Sequence, residues 1–273
     1  MSTDRHAALS ARYGTTHLPP EGPWNAVIAS LLGHRSVRAY RTDPLPEGTL
    51  ETLVAAAQSA ATSSNLQTWS VVAVEDGARK ARLAAVAGGQ KHIVQCPLFL
   101  VWLADLSRVA RLAEAEGAVL EGLPYTETFL VAALDAALAA QNAVVAAESL
   151  GLSTVYIGAL RNDTRRVAEE LALPSGAVGV FGLCVGYADP AVPAAVKPRL
   201  PQAAVLHHEV YDAAGETPLR QGYDAELAAF GERNGMGPQR WTDRVLARLG
   251  RVSALHGRDG LKEALRTLGF PLR

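Results

Sequence analysis

Eight consecutive residues, Gly33 to Tyr40 (G-H-R-S-V-R-A-Y), place a histidine, a serine and two arginines within five positions. In extended geometry side chains alternate faces, so His34, Ser36, Arg38 and Tyr40 share one side and Arg35 takes the other. Cations this close repel one another unless an anion sits among them. Phosphate suits the pattern, because arginine forks pair with its oxygens through charge-assisted hydrogen bonds. A solvated basic loop accounts for the same residues equally well. A second stretch tips the balance: in K-P-R, Pro198 holds the preceding residue extended, so Lys197 and Arg199 point the same way. Each such contact with a dianion gains roughly 4 kcal/mol gross at about 4 Å and an effective dielectric near 20. About 1.5–3 kcal/mol of that survives desolvation. Three or four contacts then hold a phosphorylated cofactor without a covalent link.

Other chemistries lack their residues. There is no G-x4-G-K-[ST] phosphate loop and no G-x-G-x-x-G after a strand, which argues against a P-loop triphosphate or a Rossmann dinucleotide. No G-x-S-x-G elbow offers a nucleophile. No paired cysteines or His-x3-His spacing suggests a metal, so none is expected. Phosphate clamps without a resident nucleophile, metal or acid–base pair suggest that a cofactor carries the chemistry.

The elements that must position these residues follow from periodicity. A net charge of −1 favours neither nucleic acid nor an anionic membrane. Residues 1–22 show no periodicity and are expected to be a poorly ordered arm. A short apolar helix, Trp24 to Leu32, leads into the cationic stretch. Pro46 and Glu47 open a helix with Leu50, Leu53, Val54 and Ala57 on one face, running out in A-T-S-S-N-L-Q. Strands are expected at Ser70–Val74, Pro97–Ala104, Thr154–Ile157 and Val178–Val185, with a helix at Ala78–Ala87 and a polar loop at Gly88–His92. Thr128 to Leu150 is the longest helix candidate, and Asp135 and Glu148 are its only charges. A helix apolar nearly all round is buried by the core or by a partner subunit. Another helix is expected from Thr164 to Leu171, capped by Asn162 or Asp163. From Gly231 onward nine Lys or Arg stand against four Asp or Glu, and amphipathic stretches at Thr242–Leu255 and Asp259–Leu268 read as terminal helices. Alternating strands and helices imply an α/β or α+β layer fold. Cys96 and Cys184 lie in apolar runs, as reduced buried thiols do. No signal peptide or run of about 18 apolar residues is present, and a soluble cytoplasmic protein is expected.

H-R-S-V-R-A-Y, S-S-N-L-Q, G-G-Q-K-H, A-Q-N-A-V-V-A-A-E-S-L-G-L, V-Y-I-G-A-L-R-N, F-G-L-C-V-G and K-P-R-L-P occur in this order. The set resembles the FMN-dependent nitroreductases, and within them the NADPH-preferring, oxygen-insensitive type A enzymes and related flavin reductases. The resemblance runs from about Trp24 to the C-terminus. It implies an α+β fold, a mixed sheet flanked by helices, in a domain-wrapped homodimer with FMN at the subunit interface. One domain would cover 23–273, with 205–273 an extension wrapping the partner. By the same resemblance, His34, Arg35, Ser36 and Arg38 contact FMN, Arg38 toward the ribityl chain and pyrimidine edge. Lys197 and Arg199 meet the phosphate. Thr62, Ser63, Ser64 and Gln67 line the site, and Gln90, Lys91 and His92 border the isoalloxazine. Tyr156, Ile157, Gly158 and Ala159 pass along the ring, with a backbone N–H near Gly158 a donor to N5. Arg38 and Gly158 are thus the catalytic candidates. Arg233, in a loop from Gly231 to Arg240, is the candidate for the NADPH 2′-phosphate. Two positions depart from the family's habit: Thr62 stands where Ser is more usual, and Ala159 where a second Gly is common.

The implied activity is ping-pong hydride transfer from NADPH, with NADH the other candidate donor, through flavin N5 to a small electron acceptor such as a nitroaromatic, a quinone or free flavin. Two alternatives remain: a pathway-specific dehydrogenase or dehalogenase on the same scaffold, and a non-catalytic flavin-binding or redox-sensing protein. Nucleic acid and membrane are not expected partners.

Overall fold

The computed structural model describes residues 5–20 and 22–273. In chain order these form α1 (Arg5–Tyr13), α2 (Ala26–Gly33), α3 (Thr49–Gln58), β1 (Trp69–Val74), α4 (Gly77–Val86), α5 (Lys91–Gln95) and β2 (Leu98–Asp105). Next come α6 (Ser107–Ala115), α7 (Thr126–Ser149), β3 (Ser153–Ile157), α8 (Thr164–Glu170) and β4 (Ala177–Gly186). The chain closes with α9 (Glu216–Arg233), α10 (Trp241–Leu249) and α11 (Leu261–Thr267). It divides into two compact units, Met1–Arg35 with Ala194–Leu255, and Ser36–Pro193 with His256–Arg273. The expected domain from residue 23 onward is therefore shared between two units.

The second unit is α+β, built on a sheet in the order β1-β2-β4-β3. Every strand pair is antiparallel, with Val71 opposite Trp102 and both Phe99 and Val155 opposite Cys184. The parallel part of the expected mixed sheet is confined to one isolated bridge, Ser36 to Thr154. β2 is buried along its whole length, as its continuous apolar run requires. On one face Leu53 and Ala57 of α3 and Ala139, Ala140, Ala143 and Ala147 of α7 pack on Leu98, Leu100, Trp102, Leu183 and Val185. Alanines let α7 lie close to the strands. By length and composition α7 would also suffice to cross a membrane, but this alanine face belongs to the core. On the other face, a Cβ on Gly182 would lie 2.4 Å from Phe99 Cζ. The glycines of β4 thus make room for neighbouring side chains.

In the first unit Tyr223, Leu227 and Phe230 of α9 pack with Leu200 and Trp241. Asp224, also on α9, accepts Thr242 N at 2.9 Å and its hydroxyl at 2.7 Å, which caps α10. Within the expected arm α1 occupies Arg5–Tyr13 and buries Arg12, while residues 1–4 and 21 lie outside the described residues. Asp163, rather than Asn162, caps α8 through Arg166 N at 3.0 Å.

Candidate functional site

In the first unit His34 is the residue just after α2, whose N-terminus is capped by Asn25. Arg12 donates from Nη2 to the carbonyls of Leu32 and His34, both at 2.7 Å, and from Nη1 to that of Lys197 at 2.8 Å. The chain at His34 and the chain at Lys197 are thereby tied to one side chain within this unit. Tyr223 donates its hydroxyl to the Pro198 carbonyl at 3.0 Å, and Arg199 N donates to the Arg12 carbonyl at 2.8 Å. The K-P-R backbone is fixed while the Arg199 side chain, like that of Arg35, is exposed.

In the second unit Val37 N donates to Thr154 O at 3.0 Å, anchoring the cationic stretch against β3. Val37 and Tyr40 are buried, whereas Ser36 and Arg38 are exposed. Tyr40 therefore does not share the outward face of Ser36 and Arg38, contrary to strict alternation. Its hydroxyl turns inward to the Val37 carbonyl at 2.9 Å, and its backbone bridges Ala188. Among the described residues, the side chains of Arg35, Arg38 and Arg199 make no ion pair and no hydrogen bond.

The G-G-Q-K-H stretch is a loop only through Gln90; Lys91 and His92 open α5. Lys91 is exposed and Gln90 half-buried, while His92 is 9% exposed and its Nε2 has no hydrogen-bond partner among the described residues. Burial first, and then the nearby positive charge of Arg38, push the His92 pKa down. Two predicted site residues from distant motifs therefore act on each other.

β3 carries Tyr156 with its ring edge-on to Phe181 at 5.2 Å and its hydroxyl 3.4 Å from Gln141 Oε1. Ile157 is buried. Gly158 and Ala159 open a 3₁₀ turn, and a Cβ on Gly158 would lie 3.3 Å from the Arg161 guanidinium. Arg161 in turn donates to the Val180 carbonyl. Glycine thus lets this turn sit close to the arginine that ties it to β4.

The T-S-S-N-L-Q loop depends on a residue whose role the sequence did not reveal. Asp135 of α7, 3% exposed, accepts the Thr62 hydroxyl at 2.6 Å and Ser63 N at 3.2 Å. It also accepts Thr68 N and the Thr68 hydroxyl, each at 3.1 Å. Thr62 Oγ1 accepts Gln67 N at 3.0 Å. Inside this frame Ser64, Asn65 and Gln67 have φ of 49°, 55° and 52°. Left-handed backbone at non-glycine residues persists where surrounding bonds impose it. Asp135 was visible only as one of two charges in an apolar helix.

Arg233 is a correction of place: it is exposed in the last turn of α9, not in a loop. Among the described residues no three His, Cys, Asp or Glu side chains group to hold a metal. Cys96 and Cys184 are buried and unbridged.

A model of the nitroreductase family matches residues 31–187, and a model of its C-terminal domain matches 197–273. An FMN reductase (NADPH) of Bacillus subtilis is 38% identical over 244 residues, 88% of this chain and 97% of that protein. An oxygen-insensitive NADPH nitroreductase of Salmonella typhimurium is 38% identical over 221 residues, 80% of this chain and 88% of its own. Among solved structures, the hypothetical oxidoreductase YcnD of Bacillus subtilis superposes with a TM-score of 0.86 at 35% identity, covering 92% of this chain and all of that one. The NADPH:FMN oxidoreductase of Vibrio harveyi, complexed with NAD+, gives 0.80 at 33% identity, covering 91% and 100%.

Proposed function

The chain belongs to the nitroreductase family, and from that premise we propose that it is an FMN-dependent NAD(P)H oxidoreductase that reduces small electron acceptors. The observation that carries this reading is the set of uncompensated cations on the family's motifs. Among the described residues Arg35, Arg38 and Arg199 have no anionic partner, and His92 Nε2 is buried without a hydrogen-bond partner. A phosphorylated, hydrogen-bonding cofactor would satisfy both needs, so the residues present fit FMN.

When bound, FMN would supply two-electron redox chemistry between NAD(P)H and an acceptor, in the separate half-reactions of a ping-pong scheme. His34, Arg35, Lys197 and Arg199 are assigned to the phosphate, through charge-assisted hydrogen bonds. Arg38 is assigned to the pyrimidine edge, where its fixed positive charge favours the electron-rich form. Ser36, Thr62, Ser63, Ser64 and Gln67 supply hydroxyl, amide and backbone groups to the polar parts of the ligand. Gln90, Lys91, His92, Tyr156, Ile157, Gly158 and Ala159 are assigned to the ring, with the Gly158 N–H a donor to N5. Arg233 remains the candidate for the NADPH 2′-phosphate. Nitroaromatics, quinones and flavins are the proposed acceptors. We further propose a cytoplasmic homodimer in which 205–273 wraps the partner; buried, unbridged cysteines are consistent with a reducing compartment.

The purified protein should be yellow and should bleach rapidly on anaerobic mixing with NADPH. A colourless protein with no affinity for FMN would reject the reading. A flavoprotein that NADPH and NADH reduce only slowly would point to a dedicated dehydrogenase or a sensor instead. Arg38→Ala, loaded with FMN, should have a midpoint potential lower by roughly 30–60 mV, equivalent to losing one charged hydrogen bond of about 1.5–3 kcal/mol. An unchanged potential removes Arg38 from that role.

A further inference from the structure

We propose that Arg12, which lies on α1 outside both matched spans, is the positioning residue that holds the two cationic segments of the phosphate clamp in register. The proposal rests on the FMN reading above. An arginine that is only 5% exposed must find the hydrogen bonds of its guanidinium within the protein. Arg12 finds them on three backbone carbonyls, those of Leu32, His34 and Lys197. Leu32 and His34 lie at the C-terminal end of α2, where carbonyls lack partners within the helix and the helix dipole favours a cation.

The same residue also engages the other segment through its own main chain. Its carbonyl accepts Arg199 N, so Lys197 O and Arg199 N are both tied to Arg12, and Pro198 O between them is tied to Tyr223. Arg12 thus bonds to the backbone of His34, Lys197 and Arg199, three of the residues whose side chains are assigned to the phosphate. A planar fork spans three acceptors in fixed directions, which a lysine ammonium on a flexible stem does not reproduce.

The test compares FMN with riboflavin, which differ only in the phosphate, binding to the flavin-stripped full-length protein. Hydrogen exchange at the Arg199 amide, which donates to the Arg12 carbonyl, is measured in parallel. In Arg12→Met the Kd for FMN should rise about tenfold or more while that for riboflavin stays within about twofold, and exchange at the Arg199 amide should quicken. Arg12→Lys, which keeps the charge and covers the case of a Met variant that does not fold, should fall between the two. A lower thermal midpoint with an unchanged FMN-to-riboflavin ratio in either folded variant would overturn the proposal and leave Arg12 a purely structural residue. A wild-type protein that binds FMN no better than riboflavin would overturn the phosphate clamp itself, and this proposal with it.

Discussion

His92 shows how one side chain records its surroundings. Its pKa lies below the ordinary 6.5 because burial disfavours the imidazolium and because Arg38 repels it. The unfolded chain then takes up a proton before the folded chain does. His92 therefore supports the fold fully above about pH 6.5, and its contribution is lost as the pH falls from there toward the depressed folded value. Denaturant midpoints at pH 7.5 and 5.5 should fall more for the wild type than for His92→Gln, which has no proton to gain. Equal falls would mean that His92 does not titrate in this range. The candidate was legible from G-G-Q-K-H and the family resemblance. Its proximity to Arg38 was not, since sequence spacing carries no record of which motifs meet.

Between one residue and the whole lies the element, and the loop from Thr62 to Thr68 shows how an element is held. Its left-handed residues have no glycine to relieve them, and each such conformation costs on the order of 1–3 kcal/mol. Asp135 offsets that by accepting bonds from Thr62, Ser63 and Thr68 at once. Asp135→Asn keeps the size but replaces acceptor oxygen with an N–H donor facing other donors. It should lose about 2–3 kcal/mol in chemical denaturation and weaken FMN binding, with riboflavin affected equally because the phosphate is not involved. A variant of wild-type stability would mean that the loop holds itself. The strands and α3, α4, α7 and α8 were legible because each shows one clear period or a continuous apolar run. α9 was not: it carries Pro218 and Gly222 and mixes polar with apolar residues on every side. α1 escaped notice because its order depends on Arg12 finding carbonyls supplied by residues far along the chain, which no local pattern announces. α5 is a single short turn of helix, below the length at which periodicity can be read.

At the scale of the whole molecule, α7 carries more apolar surface than its own chain covers. Its alanine face is packed in the core, yet Leu130, Leu134 and Leu138, spaced one turn apart, are 49%, 54% and 49% exposed. Sequence alone allows two covers for such a helix, the core or a partner subunit, and the structure assigns the alanines to the first. A leucine row of this length left to water would be an unfavourable surface for a monomer, and the proposed homodimer supplies its cover. Leu134 is the central member of the row, so Leu134→Glu would bury a carboxylate opposite apolar side chains at the subunit contact. Central apolar positions of this kind contribute on the order of 2–4 kcal/mol to association, so the dimer Kd should rise roughly thirtyfold or more. Light scattering across a dilution series reads that shift directly. Because the flavin sites are proposed to lie at the subunit interface, monomerisation should release FMN in parallel, with both curves sharing one midpoint. A Leu134→Glu protein that remains dimeric at the wild-type midpoint would remove this face of α7 from the interface. A monomer that keeps its FMN would show instead that each chain holds the cofactor alone.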